Sequence, residues 1–171
     1  RSTAIQQGTL TRARLGRAYL VDSKGKTYKA KVRLKGDLGQ HWYSNKRFSL
    51  RVYLSKNDKN HSFPYREFSL HKLAARQYPH EYLFADVLSR LNLPNSTHEV
   101  VRVSVNNQDW GFMDLQEHYG DALLERQRLK PSSILTFGDE RKWKESIAKQ
   151  EKSKNATHWL SHPRLNVRLT G

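Results

Sequence analysis

An α+β fold, with a mainly antiparallel sheet, one packed helix and a short helix-rich segment after it, is what this 171-residue sequence predicts. Three observations carry that prediction. Apolar residues alternate with polar ones at Tyr28, Ala30, Val32 and Leu34 and again at Phe48, Leu50, Val52 and Leu54, the period of half-buried strands. One later segment instead spaces Leu83, Val87, Leu88 and Leu91 as a helix does. A second pair of strand-like runs, "VVRVSV" and "WGFMDLQEH", then flanks an Asn-rich turn. One helix against a mainly antiparallel sheet is an α+β layout.

The elements follow in order. The stretch "TLTRARLGRAYLVDSKGKTYKAKVRLKGD" reads as strands, with a bulge near Gly16 and a turn over Ser23-Lys24-Gly25-Lys26. "GDLGQHWYSNK" is a loop with two glycines, and "RFSLRVYL" is the next strand. "SKNDKNHSFPYR" is a polar connection, and "EFSLHKL" reads as a short strand or an extended lead-in to the helix. The helix "YPHEYLFADVLSRLNLP" has Pro79 in its first turn and Pro94 as its stop. Asn106-Asn107-Gln108-Asp109 forms the hairpin turn, since Asn tolerates positive φ. A second helix is expected over "YGDALLERQRL", a short strand over "SSILTFGD" and a charged helix over "ERKWKESIAKQEKSKN". The final stretch, "ATHWLSHPRLNVRLTG", has no clear period.

Hydrophobic residues make up 36% and aromatics 11%, so a disordered chain is excluded on its aromatic content. Lys and Arg outnumber Asp and Glu by 15, a balance that attracts nucleic acid or another polyanion without choosing among them. The absence of cysteine removes disulfides, thiolate nucleophiles and zinc–thiolate sites. No apolar run nears the ~20 residues that span a bilayer.

Several residue groups can carry chemistry. Lys35, Gly36 and Asp37, with Gly39 and then Lys46-Arg47 at the head of the next strand, combine cations with glycines that let backbone N–H groups approach a phosphate. An ordinary basic loop is the alternative. Glu81, Asp86 and Arg90 lie on the helix, where solvated charges are the commoner reading. Glu117 closes its strand, either as a solvated strand end or as the start of a crossing to a second lobe. His41-Trp42-Tyr43 and Arg141-Lys142-Trp143-Lys144 mix aromatics with basic groups, as core anchors or as stacking platforms for bases. His158 and His162 stand four apart, but Pro163 follows and no metal site is assigned. The sequence has no GxSxG, P-loop or GxGxxG motif.

Taken together, these stretches resemble the spore-coat CotH kinase family. The resemblance runs through "KGDLGQHWYSNKRFSLRV", "YLFADVLSRLNLP" and "VRVSVNNQDWGFMDLQEH", about residues 35–124. It implies a kinase-like N-lobe over 1–118, a hinge, and a partial helical C-terminal segment over 119–171. It also implies ATP and Mg²⁺ as cofactors, phosphoryl transfer to a protein hydroxyl, and a bacterial envelope or secreted setting. By resemblance, Lys46 or Arg47 is the phosphate-holding cation, with Lys35, Gly36 and Gly39 over the phosphates and Glu117 at the hinge. The chain departs from the pattern at His80-Glu81, where the family has Arg-Asn. Beyond Glu117 the only aspartates are Asp121 and Asp139. The expectation is therefore a nucleotide-side portion, or a relative without catalysis. A non-catalytic domain that binds a polyanion, or an envelope or coat scaffold piece, is the alternative.

Overall fold

The structure, a computed structural model, describes residues 1–7, 10, 14–36, 39–44, 46–55 and 61–135. The chain divides into two compact units, Arg1–Leu129 and Lys130–Gly171. Of the second unit, residues 130–135 are described and form neither helix nor strand. The rest of the expected strand over 132–139, the charged helix over 140–155 and the final stretch 156–171 lie outside the described residues.

Among its described residues the first unit is one six-stranded antiparallel sheet with three short α-helices and two 3-10 turns, Gly39–His41 and Leu73–Arg76. Its strands are β1 (Gly16–Val21), β2 (Thr27–Leu34), β3 (Leu50–Leu54), β4 (Glu67–Lys72), β5 (His98–Val105) and β6 (Gln108–Glu117). Helix α1 is Ser2–Gln7, α2 is His80–Arg90 between β4 and β5, and α3 is Asp121–Arg126 after β6. The strand order is β1-β2-β3-β4-β6-β5, and every neighbouring pair is antiparallel. The expected mainly antiparallel α+β architecture is what the chain adopts.

The register lines up one apolar face across all six strands. Ala18 faces Ala30, Ala30 faces Leu54, Val32 faces Val52, Val52 faces Phe68, Leu70 faces Leu115, and Val101 faces Met113. Both edge strands contribute to one cluster centred on Tyr28, Phe68 and Met113, so the sheet curls around its own apolar face. Phe63 and Tyr65, on the connection into β4, close that cluster together with Phe48 and Trp110. Burying each large side chain contributes about 1.5–3 kcal/mol, and Phe68 and Met113 are fully buried.

The turns follow the sequence chemistry. Asp22 Oδ1 accepts the backbone N–H groups of Lys24 and Lys26, and Gly25 takes φ +79° between β1 and β2. Asn106 and Asn107 both take positive φ, the pair of conformations that a two-residue hairpin turn requires. Helix α2 stops before Pro94 because Asn92 turns left-handed at φ 55°. The Asn92 N–H donates to the Ser89 carbonyl and the Leu93 N–H to the Leu88 carbonyl, a Schellman closure.

Helix α2 lies against the sheet in a way the apolar spacing does not anticipate. Tyr82 makes the contact: its hydroxyl donates to Asp114 at 2.9 Å and its ring meets His98. Leu83, Val87 and Leu91 face outward and are 59%, 50% and 62% exposed. The polar anchor at Tyr82 sets the helix rotation, and Leu88 alone of the four spaced residues is half-buried.

Candidate functional site

The face of the sheet opposite the apolar cluster is mainly polar, with Val21, Val100 and Phe112 the exposed apolar residues on it among the described residues. Along β4, Phe68 and Leu70 point into the cluster, so Ser69 and His71 point the other way. Asp114 and Gln116 of β6 stand beside them, paired in register with His71 and Ser69. Farther out, Arg51 of β3 lies opposite Arg33 of β2, and Tyr53 lies opposite Lys31. Like charges directly opposite across a ladder are unfavourable. Arg51 is held by Glu67 at 2.9 Å, while Arg33 donates to the Tyr53 hydroxyl at 2.9 Å. Burial pushes the Arg51 guanidinium down, and Arg33 adds to that push.

One end of this face holds a compact group of nitrogen donors. Gly36 turns at φ +91°, and a Cβ there would meet the His41 ring at 2.3 Å. Glycine is therefore what lets the chain after β2 close onto His41. The Trp42 indole N–H donates to the Gly36 carbonyl at 3.0 Å, and His41 Nδ1 meets Ser49 Oγ at 2.9 Å. The His41 and His71 rings stand edge to face at 5.5 Å. His71 Nε2 and the Arg76 guanidinium both reach Gln116 Oε1, at 3.2 and 2.8 Å.

Burial, with Arg76 and Lys35 nearby, pushes His41 down to about 4 and His71 down to about 2. Both imidazoles are neutral at ordinary pH. His71 Nδ1 and Arg76 Nε are buried with no hydrogen-bond partner among the described residues. Buried polar groups without partners are uncommon, and cations gathered around them suit an anionic ligand.

At the other end of the sheet is an open cleft of about 890 Å³. Its walls include Lys31, Tyr53 and Glu67 from the strands and His118, Asp121 and Glu125 from the chain leaving β6. Glu117 is 4% exposed and its carboxylate turns into the protein. It accepts from Arg126 at 2.6 Å and from Thr97 Oγ1 at 3.2 Å, while its backbone carbonyl accepts from Ser96 Oγ. That clasp fixes where the chain departs from β6 and ties α3 to the sheet.

Comparison with protein families, with curated proteins and with solved structures gives no match. What the chain does is therefore read from its own geometry.

The residues singled out in the sequence fall into four places, apart from Asp37, which lies outside the described residues. Lys35, Gly36 and Gly39 belong to the segment that carries His41. Gly39 is there for packing as well, since a Cβ would meet the Tyr43 ring at 2.0 Å. Lys46 and Arg47 precede β3 outside the ladder, so strand alternation does not govern them. Lys46 is exposed, and Arg47 crosses to the apolar side, where its guanidinium donates to the Trp110 carbonyl at 3.0 Å. Glu117 ends β6 at the cleft. On the helix, Arg90 pairs with Asp86 at 2.7 Å on the surface and Glu81 approaches Arg76 at 3.8 Å.

His71, Arg76 and Gln116 were not singled out from the sequence. The period-two pattern in "EFSLHK" puts His71 on the polar face, but nothing in that pattern indicates that Arg76, Gln116 and His41 would enclose it. Among the described residues no group of three His, Asp or Glu is placed to hold a metal ion. No helix among them is long and apolar enough to cross a membrane.

Proposed function

We propose that this chain is the nucleotide-side lobe of a CotH-like, kinase-related domain and binds a nucleotide on the polar face of its sheet. The observation that carries this reading is the shared face. It has a cation-rich group at one end, with the Arg76 Nε–H unpartnered among the described residues, and at the other a strand that leaves at Glu117 for a cleft wall. A helix between the fourth and fifth strands of the same sheet agrees with the lobe that the family resemblance implies.

In this reading the phosphates lie by Lys35, the Gly36 backbone and Arg76, whose Nε–H has no partner among the described residues. The base lies toward Tyr53 and the backbone around His118. Lys35 and Arg76 come ahead of Lys46 and Arg47 as phosphate contacts, because Arg47 is engaged with Trp110 on the other side. ATP fits this donor set. Mg²⁺ has no carboxylate group to hold it among the described residues, so no transfer step to a protein hydroxyl is derived.

Calorimetry with ATP and AMP tests the reading. ATP is expected to bind more tightly than AMP, and Arg76→Ala to weaken ATP about tenfold or more, the scale of one charge-assisted contact. Lys46→Ala is expected to leave the affinity unchanged. No ATP binding, or a loss confined to Lys46→Ala, would overturn the assignment.

A further inference from the structure

The geometry points to a second ligand class on the polar face, one that shares Tyr53 and the cleft with the nucleotide reading: the outward face of β1 and β2 takes single-stranded nucleic acid. Its residues are Arg17 and Tyr19 on β1, Lys29, Lys31 and Arg33 on β2, and Tyr53 next to them on β3. The register makes them a grid, because Arg17 stands opposite Lys31, Tyr19 opposite Lys29, and Lys31 opposite Tyr53. Cations fill the outward side of β2, and a tyrosine flanks them on each neighbouring strand, Tyr19 on β1 and Tyr53 on β3.

Neither strand contains an Asp or Glu. Arg17, Lys29 and Lys31 are exposed and pair with no carboxylate among the described residues. Arg17 against Lys31 is a like-charge cross-strand pair, which costs stability in the free protein. A bound polyanion removes that repulsion. The nearest acid in sequence, Asp22, is turned into its own loop, where it accepts from Lys24, Lys26 and Tyr28.

Basic side chains on an edge strand also discourage edge-to-edge pairing, which is the plainer reading of the charges alone. That role does not call for Tyr19, which lies 72% exposed among the cations. An exposed aromatic ring beside cations stacks on an unpaired base while the cations hold the backbone. Bases in a duplex have no free face to offer, so the tyrosines favour single strands over double. The carboxylates on the far wall of the cleft, Asp121 and Glu125, repel the backbone and direct it along β1 and β2.

The test is fluorescence anisotropy of the full 171-residue chain with a labelled mixed-sequence single strand, its duplex, and heparin as competitor, over a range of salt. The wild type is expected to bind the single strand more tightly than the duplex. Tyr19→Ala should weaken that binding roughly tenfold, the scale of one base–aromatic stack, and Tyr19→Phe should restore it. Lys29→Gln with Lys31→Gln should flatten the salt dependence by about 1.4 in log–log slope.

Tyr19 is at the surface, so its substitution leaves the fold intact, and a thermal melt confirms this. Equal binding of duplex and single strand, or unchanged affinity in Tyr19→Ala, would overturn the proposal. So would binding lost only when Arg141, Lys142 and Lys144 are neutralised.

Discussion

The two faces of this one sheet are built on opposite principles. The inner face is apolar in every strand and is closed by the curl of the sheet and by aromatic side chains from the connections. The outer face buries His71, Asp114, Ser69 and Arg51 almost completely, yet it fills that space with polar groups. An apolar face needs only volume and pattern to be satisfied. A buried polar face needs each polar group matched, and here two, the His71 Nδ1 acceptor and the Arg76 Nε–H donor, have no partner among the described residues. The difference separates stability from function: the inner face holds the fold, and the outer face is left with chemistry to offer.

The largest effect that would break this comparison is on the inner face. Phe68→Ala removes a fully buried ring at the centre of the cluster and should cost about 3–5 kcal/mol in chemical denaturation. A loss below 1 kcal/mol would mean that the curl does not depend on the inner face.

On the outer face, Tyr82→Phe deletes the hydroxyl that α2 gives to Asp114 and leaves that carboxylate to His98. The expected loss is about 1.5–3 kcal/mol, with faster hydrogen exchange in α2 ahead of the strands.

The histidine pair sharpens the contrast through pH. Both pKa values are depressed in the fold from 6.5, to about 4 for His41 and about 2 for His71. The unfolded chain therefore binds more protons below pH 6.5, and their stabilising share is complete above that pH. Stability should fall as pH drops from 6.5 toward 4, and more slowly from there toward 2, because His41 is then protonated in the folded chain too and only His71 still contributes. His71→Gln should flatten the slope over this range. An unchanged slope would mean that His71 is not held neutral.

The smallest effect belongs to neither face. Val87→Ser, on the exposed side of α2, should change stability by no more than about 0.5 kcal/mol.

The inner face was legible in the sequence and the outer face was not, for a physical reason. Tyr28, Ala30, Val52 and Leu54 announce themselves by alternation, because burial on one side of a pleated strand imposes a period of two. The Asn106-Asn107 turn was legible because few residues accept two successive positive φ values. The outer face alternates with the same period, but Ser69, His71 and Gln116 look like ordinary solvated positions. Their enclosure depends on Arg76 and Tyr82, whose positions are set by tertiary contacts. The same limit governed α2, where four apolar residues at helical spacing suggested an inward stripe and one polar anchor turned three of them outward. Lys46 and Arg47 stand at the head of the strand in the sequence, but the ladder begins at Leu50, so the period of two does not reach them.

The central claim is that ligand binds the polar outer face and not the apolar inner one. Titrating ATP into the isotopically labelled chain and following backbone amide shifts tests it most directly. The account predicts shifts at Lys35, Gly36, His41, His71 and Arg76, extending toward Tyr53 and His118. Shifts confined to Arg47, Trp110 and Gly111 on the other side, or none at saturating nucleotide, would contradict it.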